Sequence, residues 1–576
     1  MMDTAPKLST ILLLCLALNS GASAKDILVN QAGYLSDQKK EAYFIGTVDS
    51  FRVVSWPAGT ARFTGATELT AANDAATGLR VAKGDFTSLT ASGTYVIVTN
   101  RGDTSAPFSI GPTVFDDVYR KSLKGFYYQR CGVALGANYA GRYGHPACHV
   151  HDAVYHPTTG TSGSKATLGG WHDAGDYGKY VVNAGVSIGT LLLAYEMFPQ
   201  RFSQDDLNIP ESGNRVPDLL DEVRFELDWL LTMQDSADGG VYFKVTTANF
   251  DDFEMPENDV AIRYIYEKST TATGDFAAMM AQAARVYAPF DSAFAVRCLA
   301  AARLAWQYLL DHPSIVPSPM GFRNPPGTAT GGYGDGRDVD ERLWAAAELY
   351  ETTGESPFDG YFRLYYGEVG VFRSAMSWSD LGPLAEIAYL RGKQSGASSQ
   401  VRLELKKGLI ELCNALVARA SEDGFNVTLH PRRYAWGSNS DVLNNAILLI
   451  IGHELTGNAS YHTTALEQLN YILGCNCKDL SFLTGVGNRS PMHIHHRPSG
   501  ADGVEAPVPG LLAGGPDGGR HDPALRSTYA SSTPAAQCYL DDQGSYASNE
   551  ICINWNSPLV FVAGYFTVGK SGAPGK

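Results

Sequence analysis

Asp173 and Asp176 stand three residues apart in Gly169-Gly-Trp-His-Asp-Ala-Gly-Asp-Tyr-Gly-Lys-Tyr180, a Gly-rich, aromatic-flanked stretch that reads as a turn opening a helix. Residues i and i+3 of a helix face the same way, so both carboxylates could hold one water between a protein wall and a substrate. The competing explanation is acidic capping of a helix N-terminus, which Asp also favours. A second acidic cluster lies far downstream, in Tyr539-Leu-Asp-Asp-Gln-Gly-Ser-Tyr-Ala-Ser-Asn-Glu-Ile-Cys-Ile-Asn-Trp-Asn-Ser-Pro558. There Asp541 and Glu550 are nine residues apart, among Tyr546, Asn549, Trp555 and Asn556. A carboxyl ringed by aromatic and apolar groups has its charged form desolvated, which raises its pKa and keeps it protonated near neutral pH, as a general acid requires. Glycoside hydrolysis commonly uses one ionised and one protonated carboxyl on opposite sides of the scissile bond. The two clusters supply a candidate for each role. For Glu550 the alternative is a helix-start charge ahead of residues 551–562.

The elements that would carry these clusters divide into two kinds. From Lys25 to Ile110 short β-rich runs alternate with turns: 26–29, 42–45, 51–54, 78–81 and 94–98. This spacing predicts an all-β, immunoglobulin-like sandwich over 25–111, held without a disulfide because the segment contains no cysteine. Gly111-Pro112 marks its end, with no long linker, so direct packing on the next domain is expected. Beyond Thr113 the periodicity is helical. In 216–231, Pro217 suits a first turn and Leu220, Val223, Leu227 and Leu230 form one apolar stripe. Similar stripes near 116–130, 178–198, 275–288, 293–311, 338–353, 378–391, 402–420, 441–456, 460–473 and 557–568 bring the total to eleven. The chain is therefore mainly α, and 112–576 reads as a closed array of helical hairpins with functional loops gathered at one end.

At 576 residues, 44% hydrophobic and 18% charged, the composition is that of a globular protein with a large core. A net charge of -15 argues against nucleic acid and anionic membranes as partners. A neutral polymer is indifferent to that charge. Thirty Tyr within an aromatic fraction of 11% would suit sugar faces, although most rings must serve the core. The apolar run 11–18 followed by Gly21-Ala-Ser-Ala24 reads as a cleavable signal peptide over 1–24, predicting a secreted or periplasmic protein. Apart from Cys15 the chain has eight cysteines, too many to pair from sequence alone.

Three separated motifs give these readings a name. Asp173-Ala-Gly-Asp-Tyr177, the stretch Ser481-Phe-Leu-Thr-Gly-Val-Gly-Asn-Arg-Ser-Pro-Met-His-Ile-His-His-Arg497, and the 541–556 segment together resemble glycoside hydrolase family 9. Its members are mostly cellulases with an (α/α)6 barrel, and Asn30-Gln-Ala-Gly-Tyr34 resembles the opening of the immunoglobulin-like domain found in one branch. The resemblance implies that Asp176 is the catalytic base, that Asp173 helps hold the water and that Glu550 is the proton donor. It further implies inversion at the anomeric carbon, with the two carboxyls roughly 6.5–9.5 Å apart. Asp541 matches a second acidic position that orients neighbours, or else stabilises its loop. His495 and Arg497 match a His-x-Arg element that grips sugar hydroxyls or shapes the site, and His493 with His496 leaves a metal site conceivable there. Trp171, Trp436 and Tyr546 are candidate sugar platforms, each of which could instead be core. Cys552 stands where the family has a small hydroxyl residue or Ala, and Cys475 and Cys477 have no counterpart.

Cys131, Cys148, His149 and His172 could form a Cys2His2 tetrahedron for structural zinc, although their spacing is irregular and a Cys131–Cys148 disulfide suits an exported protein equally. The resemblance favours zinc, with His151 and Asp152 as fallback ligands. Ser499-Gly-Ala-Asp-Gly-Val504 resembles a family calcium loop in which Asp502 supplies the charge while Ser499 and Val504 bind through oxygen. No organic cofactor is expected. The implied activity is endo-β-1,4-glucanase hydrolysis of cellulose or soluble β-glucans by a monomer. Exo-acting cellodextrinase, cellobiosidase or glucosaminidase action, or non-catalytic carbohydrate binding, are the alternatives.

Overall fold

The structure, a computed structural model, describes residues 26–567; the leader expected at 1–24 lies outside the described residues. Eight strands come first: β1 (Ile27–Leu28), β2 (Glu41–Ile45), β3 (Ser50–Ser55), β4 (Ala61–Ala66), β5 (Glu68–Ala71), β6 (Val81–Asp85), β7 (Gly93–Thr99) and β8 (Phe108–Ile110). They form two four-stranded sheets, β1-β2-β6-β5 and β4-β3-β7-β8. In β3 the period-2 pattern puts Phe51 and Val53 inside and leaves Arg52 exposed. The core between the sheets is aromatic, with Tyr34 edge-on to Phe86 at 5.1 Å and to Phe108 at 5.3 Å. Of the five anticipated runs, 78–81 joins a strand only at Val81. Strands β4, β5 and β8 lack an apolar run long enough to announce them; β4 is largely exposed.

Twelve long helices follow among the described residues: α1 (Asp116–Tyr128), α2 (Val181–Met197), α3 (Asp218–Met233), α4 (Thr270–Tyr287), α5 (Ser292–Asp311), α6 (Val339–Thr353), α7 (Ser356–Val369), α8 (Gly382–Arg391), α9 (Ser399–Glu422), α10 (Ser438–Thr456), α11 (Ala459–Ile472) and α12 (Ile553–Tyr565). The even-numbered helices are buried almost all round and form the inner ring, α2 packing on α4, α4 on α6, α6 on α8, α10 on α12, and α12 back on α2. The odd-numbered helices form the outer layer and complete an α/α barrel; most keep an exposed face, whereas α11 is exposed only at its start and is covered from Thr464 on, where Asn30 and Lys39 of the sandwich meet it. Close approach in the ring needs small residues: a Cβ on Gly274 would lie 2.6 Å from Cβ of Glu341. The helix that sequence patterning missed is α7, whose Ser-Pro-Phe-Asp-Gly start masks an outer helix burying only Phe358, Asp359 and Phe362.

Each inner helix is entered through a loop at the same end of the barrel, and these six loops are where the chemistry-bearing residues lie. One of them carries a small sheet: β9 (Ala153–Tyr155), β10 (Ser164–Lys165) and β11 (Lys179–Tyr180) precede α2, and pair with β12 (Lys244–Thr246) and β13 (Tyr264–Ile265) ahead of α4 in the order β10-β9-β13-β12-β11. Among the described residues no helix is long and apolar enough to cross a membrane.

The sandwich packs directly on the barrel. Asn30 Nδ2 donates to Asn470 Oδ1 (2.7 Å), Gln31 N to Leu473 O (2.8 Å), and Lys39 Nζ bridges Glu41 (3.2 Å) and Glu467 (2.8 Å). Asn30 is fully buried, and its Oδ1 accepts the Ala32 N–H (2.9 Å). Asn30→Ala therefore strands Asn470 without its donor and is expected to cost about 1–3 kcal/mol. Denaturant unfolding checks this, and a midpoint equal to wild type would contradict it.

Candidate active site

Gly170 (φ +77°) turns the chain ahead of the first acidic cluster, where a Cβ would lie 2.7 Å from the Trp229 ring. The next residue, Trp171, is buried against Phe126 (4.7 Å), with Nε1 3.4 Å from Glu222 Oε2. It braces the loop from behind, and its reading as a sugar platform is corrected on that ground. Asp173 and Asp176 also do not open a helix: β11 intervenes and α2 starts only at Val181. The i, i+3 argument fails, and the two carboxylates reach one cavity because the chain wraps around Gly175. A Cβ on Gly175 would lie 2.0 Å from His495 O, so only glycine admits the crossing.

Backbone bonds stitch the three motifs into one wall. Arg497 N donates to Gly175 O (3.0 Å), His495 N to Asn549 O (2.9 Å), and Ile553 N to Asp173 O (2.8 Å). Isolated bridges join His495 to Glu550 and Ala174 to Cys552. The resulting cavity, of about 830 Å³, is lined by Asp173, Asp176 and Glu550, with His495, Arg497, Trp436 and Tyr546 around them.

The three carboxyls differ in their surroundings. Asp173 is buried; its Oδ1 accepts Asn183 Nδ2 (2.7 Å), and its Oδ2 accepts the Tyr333 hydroxyl (2.7 Å) with the Cys552 thiol at 3.8 Å. Burial and the neighbouring Asp176 push its pKa up to about 7 against those donors. Asp176 accepts the Gly178 N–H through Oδ2 (3.1 Å). Glu550 has its pKa driven well above the ordinary carboxyl range, first by burial and then by Asp176 and Asp173, with Arg497 opposing. Burial first, and then the two neighbouring aspartates, thus disfavour the ionised form of Glu550.

His495 pairs Nδ1 with Gln543 O (2.7 Å) and is lowered by burial, so the neutral ring donates through Nδ1 and leaves Nε2 as an acceptor. Arg497 commits Nη1 to Gly175 O (3.1 Å) and Nε to Asp251 O (2.9 Å), with Phe250 and Phe253 beside its plane, while its side chain lines the cavity. It shapes the catalytic turn. Trp436 is half exposed and lies 5.3 Å from the Tyr546 ring, an open aromatic corner of the kind that stacks on sugars. Asp541 does not line the cavity; it accepts N–H groups of Met492 and His493 (2.8 Å each) and Asn549 Nδ2 (3.2 Å), organising the chain next to His495. His496 has both nitrogens engaged, with Ser499 Oγ (2.8 Å) and Gln129 Oε1 (3.0 Å), and His493 is exposed, so the two form no ligand set. Trp555, noted beside Glu550 in the sequence, also lines the cavity, as do Tyr333, Trp378 and Asn444, which were not anticipated. The one local signal for Tyr333 is the Gly331-Gly332 pair before it.

Beside the catalytic turn, ligand atoms of Cys131, Cys148, His149 and His172 lie within 4.8 Å of one another, and both cysteines are free thiols. His149 turns Nδ1 toward His172 Nε2 (3.3 Å) and Cys131 Sγ (3.5 Å), while Asp259 Oδ2 holds its Nε2 (3.0 Å). A carboxylate behind a histidine in this way orients it as a metal ligand. His151 and Asp152 are exposed and stand outside the group. In the expected calcium loop, Ser499 Oγ is committed to His496 and to Val508 N (3.0 Å), and Asp502 Oδ1 to Val504 N (2.8 Å). Asp502 Oδ2 is buried without a partner. A group not anticipated, Asp205, Asp218 and Asp221, has its oxygens close together but already held by protein donors.

Comparison with known proteins shows the family. Residues 115–563 match the family described as glycosyl hydrolase family 9, and 22–104 match the cellulase N-terminal ig-like domain. Endoglucanase D of Acetivibrio thermocellus is 35% identical over 94% of this chain and 83% of its own length. A xyloglucan-specific endo-beta-1,4-glucanase of Bacteroides ovatus is 36% identical over 96% of both. The crystal structure of a thermostable endoglucanase single mutant from Alicyclobacillus acidocaldarius superposes with a TM-score of 0.85 at 35% identity, covering 94% of this chain and 99% of that one. The chain belongs to glycosyl hydrolase family 9.

Glu550 sets a measurable pH signature. A carboxyl whose folded pKa exceeds its unfolded value carries no penalty below the unfolded pKa, and destabilises increasingly as pH rises from there toward the folded pKa. Glu550→Gln removes that penalty, so the variant is expected to match wild type in thermal midpoint at acid pH and to exceed it at neutral pH. A constant difference across pH would contradict the raised pKa.

Proposed function

We propose that this glycoside hydrolase is an inverting endo-β-1,4-glucanase acting on cellulose or soluble β-glucans. The supporting observation is the single cavity into which Asp173, Asp176 and Glu550 all project. Asp176 acts as general base on a water that Asp173 helps orient, and Glu550 protonates the leaving glycosidic oxygen from the opposite side. With both its oxygens engaged by Asn183 and Tyr333, Asp173 suits holding better than abstracting. Trp436 and Tyr546 offer stacking faces, and His495 Nε2 an acceptor for a sugar hydroxyl. The leader read at 1–24 fits export to the compartment where polysaccharide is met. The name of the Bacteroides ovatus relative makes xyloglucan, a branched β-1,4-glucan, the second substrate to assay.

Glu550→Gln and Asp176→Asn are each expected to reduce kcat by about 10²–10⁴-fold, the scale of a lost general acid or base, with the fold intact by circular dichroism. Wild-type turnover in either would remove that residue from its role. On carboxymethylcellulose, endo action predicts viscosity falling faster than reducing ends accumulate; activity confined to short oligosaccharides would instead indicate exo action.

Zinc fits the Cys131, Cys148, His149 and His172 group: two thiolates and two imidazoles in reach of one centre, with a carboxylate behind His149. Since His172 adjoins Asp173, the ion would brace the catalytic turn without entering the reaction. Calcium at Asp502 rests on the orphaned Oδ2 alone. Elemental analysis is expected to find about one zinc per chain, and chelation to lower the thermal midpoint. A Cys131–Cys148 disulfide found by mass spectrometry would reject the zinc assignment.

A further inference from the structure

Lys244 on β12 is fully buried and has no part in the reaction set out above. Its Nζ donates to Asn324 Oδ1 (2.8 Å), Gly331 O (2.8 Å) and Thr330 Oγ1 (3.2 Å), so all three ammonium protons have acceptors on one segment. Thr330 Oγ1 is also paired with Thr246 Oγ1 (2.8 Å) on the same strand. The segment runs on through Gly331-Gly332 to Tyr333, whose hydroxyl donates to Asp173 Oδ2 (2.7 Å). Gly331 and Gly332 carry no side chains to anchor the approach to Tyr333, and Lys244 bonds Gly331 O directly, alongside the Thr246 and Thr247 bonds to Thr330.

Lys244 is itself fixed to the catalytic turn. It sits opposite Tyr180 in the pairing of β12 with β11, the strand that leaves the turn bearing Asp173 and Asp176. Its ammonium lies over the Tyr266 ring (4.6 Å) and near those of Tyr180 and Phe322 (5.5 Å each), faces that favour a cation. Tyr180 in turn meets Tyr333 edge-on at 4.8 Å. The lysine thus ties the strand after the turn to the loop that delivers the hydroxyl back to it.

We infer that Lys244 is a positioning residue for the hydrolysis, pinning the 324–333 loop so that Tyr333 stays bonded to the water-holding Asp173. This rests on the functional reading above and goes one layer behind it. Burial outweighs the opposing pull of the Asp176 carboxylate and brings the Lys244 ammonium down to about 7, the pull of Asp176 placing the lysine close to the site.

The test is a double-mutant cycle on the full chain with a soluble β-glucan, recording kcat, KM and thermal midpoint for wild type, Lys244→Met, Tyr333→Phe and the double variant. Lys244→Met is expected to lower kcat on the order of 100-fold, the cost of a small misplacement of a catalytic group, with KM nearly unchanged. Tyr333→Phe should lower kcat as well, and the double variant should fall no further than Lys244→Met alone, since both losses act through one bond. Should Lys244→Met not fold, Thr330→Val takes its place: it keeps the volume, removes one anchor, and is expected to lower kcat more mildly with the same dependence on Tyr333. Wild-type kcat in Lys244→Met, or losses that multiply in the double variant, would overturn the inference while leaving the hydrolase reading intact. An inactive wild-type chain would defeat that reading and this inference together.

Discussion

Three carboxyls sharing one poorly solvated cavity are the constraint on which the rest of the molecule turns. Negative charges cannot all be carried side by side away from water, so one group must take up a proton. Glu550 is the group driven furthest from ionisation, by burial and then by the two aspartates. The same repulsion that loads a proton onto Glu550 works against folding, and the surrounding bonds must hold the acids together. Ile553 N to Asp173 O, the Ala174–Cys552 bridge and the Arg497 N–H to Gly175 O do so through backbone, which cannot relax away as a side chain can.

The barrel makes this possible by bringing distant segments to one end. Every inner helix begins where the cavity lies, so a residue just ahead of α2, α6, α8, α10 or α12 is automatically near the others: Asp176, Tyr333, Trp378, Trp436 and Glu550 occupy those places. Helix interiors supply rigidity through Gly and Ala contacts, and the loops supply chemistry. The cluster of Cys131, Cys148, His149 and His172 and the Trp171–Glu222 contact support the catalytic turn from outside, while Lys244 supports it from the side of β12. The turn is thus held on several faces by groups that never meet substrate.

Much of this was legible in the residues because catalysis concentrates rare types. Asp-Ala-Gly-Asp, His-Ile-His-His-Arg and Asn-Glu-Ile-Cys carry their chemistry locally, and apolar stripes announced the inner helices. Aromatic residues were less readable, since Trp171 and Trp436 look alike in sequence and only their backbones decide that one faces α3 and the other the cavity. Tyr333 acts on a residue 160 positions away, and no local pattern encodes such a contact. The helix α7 escaped because its exposed face and Pro and Gly residues dilute the periodicity. Asp173 and Asp176 line one cavity through a glycine-centred wrap, in place of the helical turn that their spacing suggested.

The central claim is that an ionised oxygen at Asp176 and a proton on Glu550 act from opposite sides of one glycosidic bond, with water between base and sugar. Proton NMR of sugars at the moment of release from a β-linked oligoglucoside tests this most directly. The account predicts that the α-anomer of the new reducing end appears first and mutarotates afterwards. First appearance of the β-anomer would mean that configuration is retained, and would contradict the account at its root.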